Sequence, residues 1–135
     1  MTAVDTSVLV AAFASWHESH AQALDACDSD PVLPAHAYVE AYSSLTRLPE
    51  PFRIAAPVVA EYLRRRWADK IVLPTDELVA RLPQTMESAG LAGGATYDGL
   101  IALTAQETGQ TLLSLDRRAQ RTYRLLGVSH QLLAV

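Results

Sequence analysis

The sequence MTAVDTSVLVAAFA, residues 1–14, contains the pattern that is most informative about the fold. A short apolar segment leads straight into Asp5, and residues 6–14 then have the composition of a helix start. Residues 111–116, TLLSLD, follow the same plan: a nearly continuous apolar run, as expected for a strand buried on both faces, ends at Asp116. Both stretches therefore predict a buried strand with a carboxylate at its carboxyl end.

The rest of the chain alternates between predicted strands and helices. We expect Pro83 to kink or split its helix, because proline lacks the amide hydrogen that the helix needs. Further strands are predicted at residues 32–33, 70–73 and 131–134, and helices at residues 35–48, 57–67, from 76 onward, 96–108 and in a basic segment ending at 126. Alternation of this kind predicts an open parallel sheet covered by helices on both faces.

Composition sets the broad class of the protein. A chain of 135 residues, 50% of them hydrophobic, has the usual size of one globular domain, so we expect a single domain over residues 1–135. The one cysteine, Cys27, excludes an internal disulfide and is interpreted as a small filler on a helix. No apolar run approaches the ~20 residues of a membrane span, and the N-terminus lacks the features of a signal peptide. These features predict a cytoplasmic protein.

The net charge of −4 does not by itself point to a nucleic-acid binder, since such domains are usually basic. Placement matters more than the sum, because acids gathered around divalent cations can present a positive field to a phosphate. The charge balance therefore neither supports nor excludes RNA as a substrate.

Asp5 and Asp116 are the first candidate site residues. Ligands of open α/β sheets bind outside the carboxyl ends of the strands, where the strand order reverses. If the first and fourth strands are neighbours at that point, the two carboxylates converge. The alternative for either residue alone is that it caps the helix that follows it.

Glu40 and Asp98 lie on predicted helices. The neighbours of Glu40 one turn away are mostly small and leave space over its carboxylate, although a solvated glutamate on a polar edge would look the same. Asp98 lies in the first turn of its helix, where the dipole alone favours an anion. Four gathered carboxylates would repel one another without cations, whereas Mg²⁺ or Mn²⁺ prefers oxygen ligands and can activate water for phosphodiester hydrolysis. The sequence alone leaves open whether the acids converge.

Four short stretches resemble the acidic motifs of the PIN-domain ribonucleases. They are VDTS at residues 4–7, YVEA at 38–41, YDGLIA at 97–102 and LSLDRR at 113–118. Their order and spacing match along nearly the whole chain, and length and motif style are most similar to the VapC toxins of bacterial toxin–antitoxin pairs. Gly99 stands where related sequences often carry alanine, and we expect it to loosen the helix start after Asp98.

The resemblance implies a three-layer α/β/α fold with a central parallel sheet of about five strands. It implies a Mg²⁺- or Mn²⁺-dependent endoribonuclease that cuts structured RNA such as tRNA or ribosomal RNA. A homodimer and inhibition by a cognate VapB-type antitoxin are also implied. The metal-binding and catalytic acids would be Asp5, Glu40, Asp98 and Asp116, with supporting hydroxyls from Thr6 and Ser114.

Basic residues cluster after the last acidic motif. Arg117, Arg121 and Arg124 share one face of the predicted helix, with Arg118 beside it, and could steer RNA phosphates. A solvated face with helical salt links is the alternative. Residues 64–66, all arginine, lie near a helix C-terminus, where we expect them to compensate the dipole.

The histidines give weaker signals. His17 and His20 are spaced to share a metal, but no third soft ligand is evident, so they are interpreted as surface residues near Trp16. His36 could line a cleft beside Glu40, with capping or surface exposure as the alternative. Aromatic residues are sparse and predict no stacking platform for bases, so RNA recognition would depend on phosphates and shape.

Apolar residues on two helices could form a dimer or antitoxin surface, although core packing is the default interpretation. They are Leu45, Leu48, Val58, Val59 and Tyr62. Two other functions are alternatives to a nuclease. An acyl-phosphate aspartate enzyme usually has a second acid two residues after the nucleophile, where Ser7 stands. A non-catalytic interaction module with the same fold has no need of the complete acidic set.

Overall fold

The computed structural model describes residues 1–134, so Val135, the end of the predicted domain, lies outside the described residues. Within that part of the chain, five strands alternate with seven α-helices and one short 3₁₀ helix at Ala68–Lys70. The strands are β1 (Thr2–Val4), β2 (Leu33–Pro34), β3 (Ile71–Val72), β4 (Thr111–Ser114) and β5 (His130–Leu132). The helices are α1 (Thr6–Phe13), α2 (His20–Cys27), α3 (Ala35–Thr46), α4 (Ala56–Arg66), α5 (Asp76–Ser88), α6 (Ala95–Glu107) and α7 (Ala119–Leu125).

The strands pair in parallel in the order β3-β2-β1-β4-β5. Ladders join β1 to β4, β4 to β5 and β2 to β3. The two groups are linked by a parallel bridge between Ala3 and Val32, with Val4 N donating to Val32 O at 3.1 Å. The predicted parallel sheet is confirmed, and the first and fourth strands are neighbours. Because the chain runs to opposite sides of β1, the strand order reverses between β1 and β4.

Three predictions about the helices are wrong, and most other predicted ends differ from the observed ones by one or two residues. Helix α3 ends at Thr46 rather than Leu48, since a residue before proline, here Pro49, is disfavoured in helical backbone. Helix α5 is not split: it runs continuously through Pro83, and Leu82 and Met86 on either side pack into one apolar cluster. Helix α7 begins only at Ala119, so the segment before it is not helical.

The core lies on both sides of the central strands and extends under the helices. Its largest fully buried side chains include Trp67 and Tyr123. Cys27 is buried at the end of α2, a helix whose bounds the sequence pattern did not indicate. No helix within residues 1–134 is long and apolar enough to cross a membrane.

Two members of the predicted apolar surface belong to the core. Leu45 and Val59 are fully buried, whereas Leu48 and Tyr62 are partly buried against the core. Val58 alone of the five is exposed, at 53%. Core packing, the default interpretation, is therefore correct for most of this set.

Gly99 permits close packing between α5 and α6. A Cβ at this position would lie 2.6 Å from Sδ of Met86, which is too close for any real contact. The expectation of a loosened helix start is wrong, because α6 is regular from Ala95 and Asp98 lies in its first turn. The missing side chain makes room for Met86.

Candidate active site

The four predicted acids line one small cavity of about 30 Å³ at the carboxyl ends of β1 and β4. Asp5 follows β1, and Asp116 lies two residues after the end of β4. Glu40 reaches the cavity from α3 and Asp98 from the first turn of α6. The complete lining is Asp5, Thr6, Ser7, Glu40, Asp98, Ile101, Asp116 and Tyr123. The structure thus brings together the acids whose convergence the sequence left open.

Asp5 is buried and held by several donors. Its Oδ1 accepts from the backbone N of Ser7 at 3.0 Å and of Val8 at 3.3 Å, which caps α1. Its Oδ2 accepts from the hydroxyl of Tyr123 at 2.8 Å. Burial raises the pKa of Asp5, while hydrogen bonds from Ser114, Ser7 and Tyr123 oppose the rise. Asp5 therefore caps α1, as the alternative interpretation predicted, and it also lines the cavity.

Asp116 also caps the turn that follows it. Its Oδ1 accepts from the backbone N of Arg118 at 2.9 Å and of Ala119 at 3.3 Å. Its own N donates to Oγ of Ser114 at 3.0 Å. Ser114, predicted as a supporting hydroxyl, thus lies between the two aspartates. A role for Ser114 in catalysis stays a prediction.

Glu40 is oriented by Thr6. The Thr6 hydroxyl donates to Oε1 of Glu40, which joins the start of α1 to the middle of α3. Nε2 of His36 lies 3.9 Å from Oε2 of Glu40, and its ring stacks on Tyr97 with centroids 5.1 Å apart. The predicted supporting hydroxyl of Thr6 therefore contacts a carboxylate, and His36 flanks the cavity.

The pKa of Asp98 shows the electrostatic cost of gathering these acids. Burial, followed by the charges of Asp116, Glu40 and Asp5, raises the pKa of Asp98 to about 6. A positive ion in the cavity would relieve this repulsion. The site is therefore chemically suited to a cation.

The acids do not form a complete protein cage for a metal. Within residues 1–134, no three carboxylate, imidazole or thiolate side chains are spaced to hold a metal ion by themselves. Mg²⁺ usually keeps several waters and takes one or two carboxylates together with substrate phosphates. The donor set fits a hydrated ion of that kind and does not fit a zinc-like site with three or four protein ligands.

A larger cleft of about 760 Å³ adjoins the cavity and shares Glu40 and Asp116 with it. Arg117 and Arg118 line this cleft, whereas Arg121 and Arg124 are exposed on α7 and are not among its lining residues. Arg117 and Arg118 precede α7, which begins at Ala119, so the basic helix starts later than predicted, and RNA binding by the four arginines stays a prediction.

The three arginines at residues 64–66 have structural partners. Arg64 and Arg65 pair with Glu61 in the last turn of α4, and Arg66 lies over the Trp67 ring at 4.5 Å. These positions agree with compensation of the helix dipole.

His17 and His20 do not face a common metal. Nδ1 of His17 accepts from N of Ser19, and Nδ1 of His20 lies 2.8 Å from the carbonyl oxygen of Ala11. His17 nevertheless lines the larger cleft.

Two site residues, Ser7 and Tyr123, were not predicted from the sequence. The Ser7 hydroxyl donates to Oδ1 of Asp5 and accepts from N of Leu115 at 2.9 Å, so it ties the ends of β1 and β4 together. Tyr123 is almost fully buried, and burial together with the Asp5 charge raises the pKa of its hydroxyl. Tyr123 lies two helical turns after Asp116 along the chain. This spacing is the sequence signal that could have indicated its contact with Asp5.

Replacement of Tyr123 by phenylalanine is expected to destabilise the protein by about 1–3 kcal/mol, because buried Asp5 loses a donor. Urea unfolding at neutral pH measures the effect. Tyr42→Phe is the matched control, since Tyr42 is 41% exposed. Equal stability of Tyr123→Phe and wild type would show that the hydrogen bond contributes nothing.

The fold and the acidic cavity define the class of the protein. Residues 2–125 match the PIN domain, and the chain belongs to the PIN-domain family. It is 44% identical over 132 residues to Ribonuclease VapC40 of Mycobacterium tuberculosis (strain ATCC 25618 / H37Rv), covering 98% of each chain. It is 37% identical over 127 residues to Ribonuclease VapC27 of the same strain, covering 93% of this chain and 92% of the relative. The resemblance to the VapC type is confirmed.

Solved structures show the same fold. The structure of FitAB bound to the IR36 DNA fragment matches with a TM-score of 0.71 and 20% identity, over 97% of this chain and 94% of that one. FitAcB from Neisseria gonorrhoeae matches with a TM-score of 0.70 and 20% identity, over 96% of both chains. These matches confirm the expected PIN-like α/β/α fold.

Proposed function

We propose that this protein is a divalent-metal-dependent endoribonuclease that acts as the toxin of a toxin–antitoxin pair. The observation that carries the proposal is the convergence of Asp5, Glu40, Asp98 and Asp116 on one cavity at the switch point of the sheet. The names of the two VapC relatives, both called ribonucleases, support it.

The four acids Asp5, Glu40, Asp98 and Asp116 are proposed to hold Mg²⁺ or Mn²⁺ and to act as the catalytic carboxylates. When bound, such an ion supplies an activated water and stabilises charge on the leaving oxygen of a phosphodiester. The chain's own part is to orient the acids. Ser7 and Tyr123 hold Asp5, and Thr6 holds Glu40. These contacts keep the carboxylates from turning away from the cavity.

The proposed substrate is structured RNA such as tRNA or ribosomal RNA. Arg117 and Arg118 in the adjoining cleft are proposed to pair with its phosphates, and Arg121 and Arg124 extend the positive surface along α7. A VapB-type antitoxin and a homodimer are the proposed protein partners. The VapC names of the relatives support the antitoxin, and exposed Val39 and Tyr42 on α3 offer apolar area for a protein partner.

Purified protein is expected to cleave RNA with Mg²⁺ or Mn²⁺ and to lose cleavage when the ions are chelated. A panel of folded tRNAs and ribosomal RNA fragments, followed by mapping of the new ends, measures this. Restored cleavage after the ions are added back distinguishes metal dependence from damage to the protein. No cleavage of any RNA in the panel would favour the non-catalytic interaction module.

A further inference from the structure

The two helices that carry Glu40 and Asp98 begin without a capping side chain. Helix α3, which carries Glu40, starts after Pro34, and α6, which carries Asp98, starts after Gly94. Neither proline nor glycine has a side-chain oxygen that could accept from the first amides of a helix. Such a first turn frays more easily than a capped one. Asp98 lies in the first turn of α6, so its position depends on other contacts.

The segment that leads into α6 adds freedom of its own. Gly93 has a positive φ of 65°, and Gly94 follows it directly. Two glycines in succession restrict the backbone very little. On the side of α5, Met86 packs closely against Gly99, but that contact comes after Asp98 along the helix. A contact at the start of α6 is therefore the one that can fix Asp98.

His36 and Tyr97 provide such a contact by joining the two helix starts. Their rings stack with centroids 5.1 Å apart and with planes inclined by only 8°. His36 is the second residue of α3 and Tyr97 the third residue of α6, so the stack links one first turn to the other. Stacked aromatic pairs stabilise a structure beyond the apolar area that they bury. Tyr97 is 55% exposed, so core packing does not account for its position.

Each ring is next to one of the acids. His36 precedes Glu40 by one helical turn, and its Nε2 lies 3.9 Å from Oε2 of Glu40, which is longer than a hydrogen bond. The other carboxylate oxygen, Oε1, accepts from Thr6. Tyr97 directly precedes Asp98 in the sequence. The stack therefore connects the turn before Glu40 to the residue before Asp98.

We propose that His36 and Tyr97 are positioning residues whose stack braces α3 against α6. The brace fixes the relative position of Glu40 and Asp98 and thereby sets the affinity of the cavity for a divalent ion. Neither ring belongs to the cavity lining, so both act through the acids that they hold. This assignment rests on the proposed function and deepens it.

Binding of Mn²⁺ to the full chain at pH 7.5, measured by isothermal titration calorimetry, tests the brace. His36→Ala and Tyr97→Ala are each expected to weaken binding about three- to tenfold, because the stack is lost in both. The double variant is expected to bind no more weakly than either single variant, since each substitution removes the same contact.

Conservative variants separate the stack from other contacts of the two residues. Tyr97→Phe keeps the ring and loses only the hydroxyl. His36→Phe keeps an aromatic face and loses the nitrogen that faces Glu40. Both are expected to bind Mn²⁺ within about twofold of wild type, because the stack is retained.

Phe52→Ala is the matched control. Phe52 is 42% exposed, and its ring packs on Trp16 with centroids 4.4 Å apart, outside the cavity lining. The substitution removes the same kind of contact as Tyr97→Ala and is expected to leave the affinity for Mn²⁺ unchanged. Urea unfolding of the metal-free variants measures the loss of stability. A merely structural role predicts that both variants lower the free energy of unfolding and that neither changes the affinity.

Hydrogen exchange of the metal-free protein gives a second readout. Tyr97→Ala is expected to speed exchange of the backbone amides in the first two turns of α6 about tenfold, because the uncapped helix start opens more often. Tyr97→Phe and Phe52→Ala should exchange these amides as wild type does. Mass spectrometry of peptides from residues 93–102 measures the effect.

The outcomes distinguish the brace from the proposed function. Equal Mn²⁺ affinity of wild type and both alanine variants would overturn the brace and leave the proposed function standing. An equal loss of affinity in the phenylalanine variants would also overturn it, because the stack would then not be the cause. If wild type binds no Mn²⁺, or Asp98→Asn binds it as tightly, the proposed metal site fails. Exchange then decides: faster exchange in Tyr97→Ala alone supports the brace, and unchanged exchange overturns it.

Discussion

Asp98→Asn is expected to abolish RNA cleavage while the protein stays folded. Asp98 lies where the charges of Asp116, Glu40 and Asp5 converge, which is where a cation would be held. If Asp98 binds the ion as proposed, its loss removes several kcal/mol of transition-state stabilisation, equivalent to about a hundredfold or more in rate. Single-turnover cleavage of a substrate identified in the RNA panel measures the loss.

A matched control exists on the neighbouring helix. Asp76 lies in the first turn of α5, as Asp98 does in α6, but it is exposed and does not line the cavity. Asp76→Asn therefore repeats the chemical change in the first turn of a helix without touching the site, and its cleavage rate should match wild type. Circular dichroism of both variants shows whether the fold is retained. Residual activity of Asp98→Asn within a few-fold of wild type would exclude Asp98 from the reaction.

Mn²⁺ or Mg²⁺ is expected to stabilise the folded protein at pH 7.5, because an ion that binds only the folded state shifts unfolding by mass action. At a concentration about a hundredfold above Kd, the gain is about 2.7 kcal/mol. Asp98→Asn should lose most of this gain, and Asp76→Asn should keep it. Thermal unfolding with and without chelator measures the effect. Equal shifts in wild type and Asp98→Asn would place the ion elsewhere.

The stabilisation of the folded protein by the metal ion is expected to decrease as the pH falls below about 6. The pKa of Asp98 is raised from 3.8 to about 6 in the folded state, so between these values the folded protein binds more protons than the unfolded chain. Without metal, protonation of Asp98 below pH 7 therefore removes the cost of burying its charge near the other acids. That cost returns as the pH rises through 6, and it lowers the free energy of unfolding. With metal, the ion must displace a proton at pH 5, which weakens binding. A metal-induced stabilisation that is larger at pH 5 than at pH 7.5 would contradict this assignment.

The fold was largely predictable because burial on both faces leaves a strong local signal. The apolar run at residues 111–114 is too short for a helix and too hydrophobic for an edge strand of a sheet. It forms β4, as predicted. Element ends were less predictable, since they depend on neighbours along the chain and in space. Packing of Leu82 and Met86 holds α5 together across Pro83, and no local sequence pattern predicts that packing.

The acids of the candidate site and the neighbouring hydroxyls of Thr6 and Ser114 were predictable, whereas Ser7 and Tyr123 were not. Each acid belongs to a short local motif, so order and spacing along the chain were enough to select the four. The side chains that hold them come from distant elements: Tyr123 reaches Asp5 across 118 positions, and Ser7 meets Leu115 across 108. Contacts of that separation follow from the order of the strands rather than from any local pattern.

Hydrophobic periodicity and short motifs are local properties of the chain, so the alternating α/β plan, the family resemblance and the identity of the four acids could be predicted from residues alone. The three-dimensional structure established that Asp5 and Asp116 meet, since that requires β1 and β4 to be neighbours. It also decided which arginines reach the cleft and that Trp16 and Phe52 form one exposed surface. The physical reason is the same in each case: proximity in space is set by strand order and helix packing, which sum weak interactions over the whole molecule.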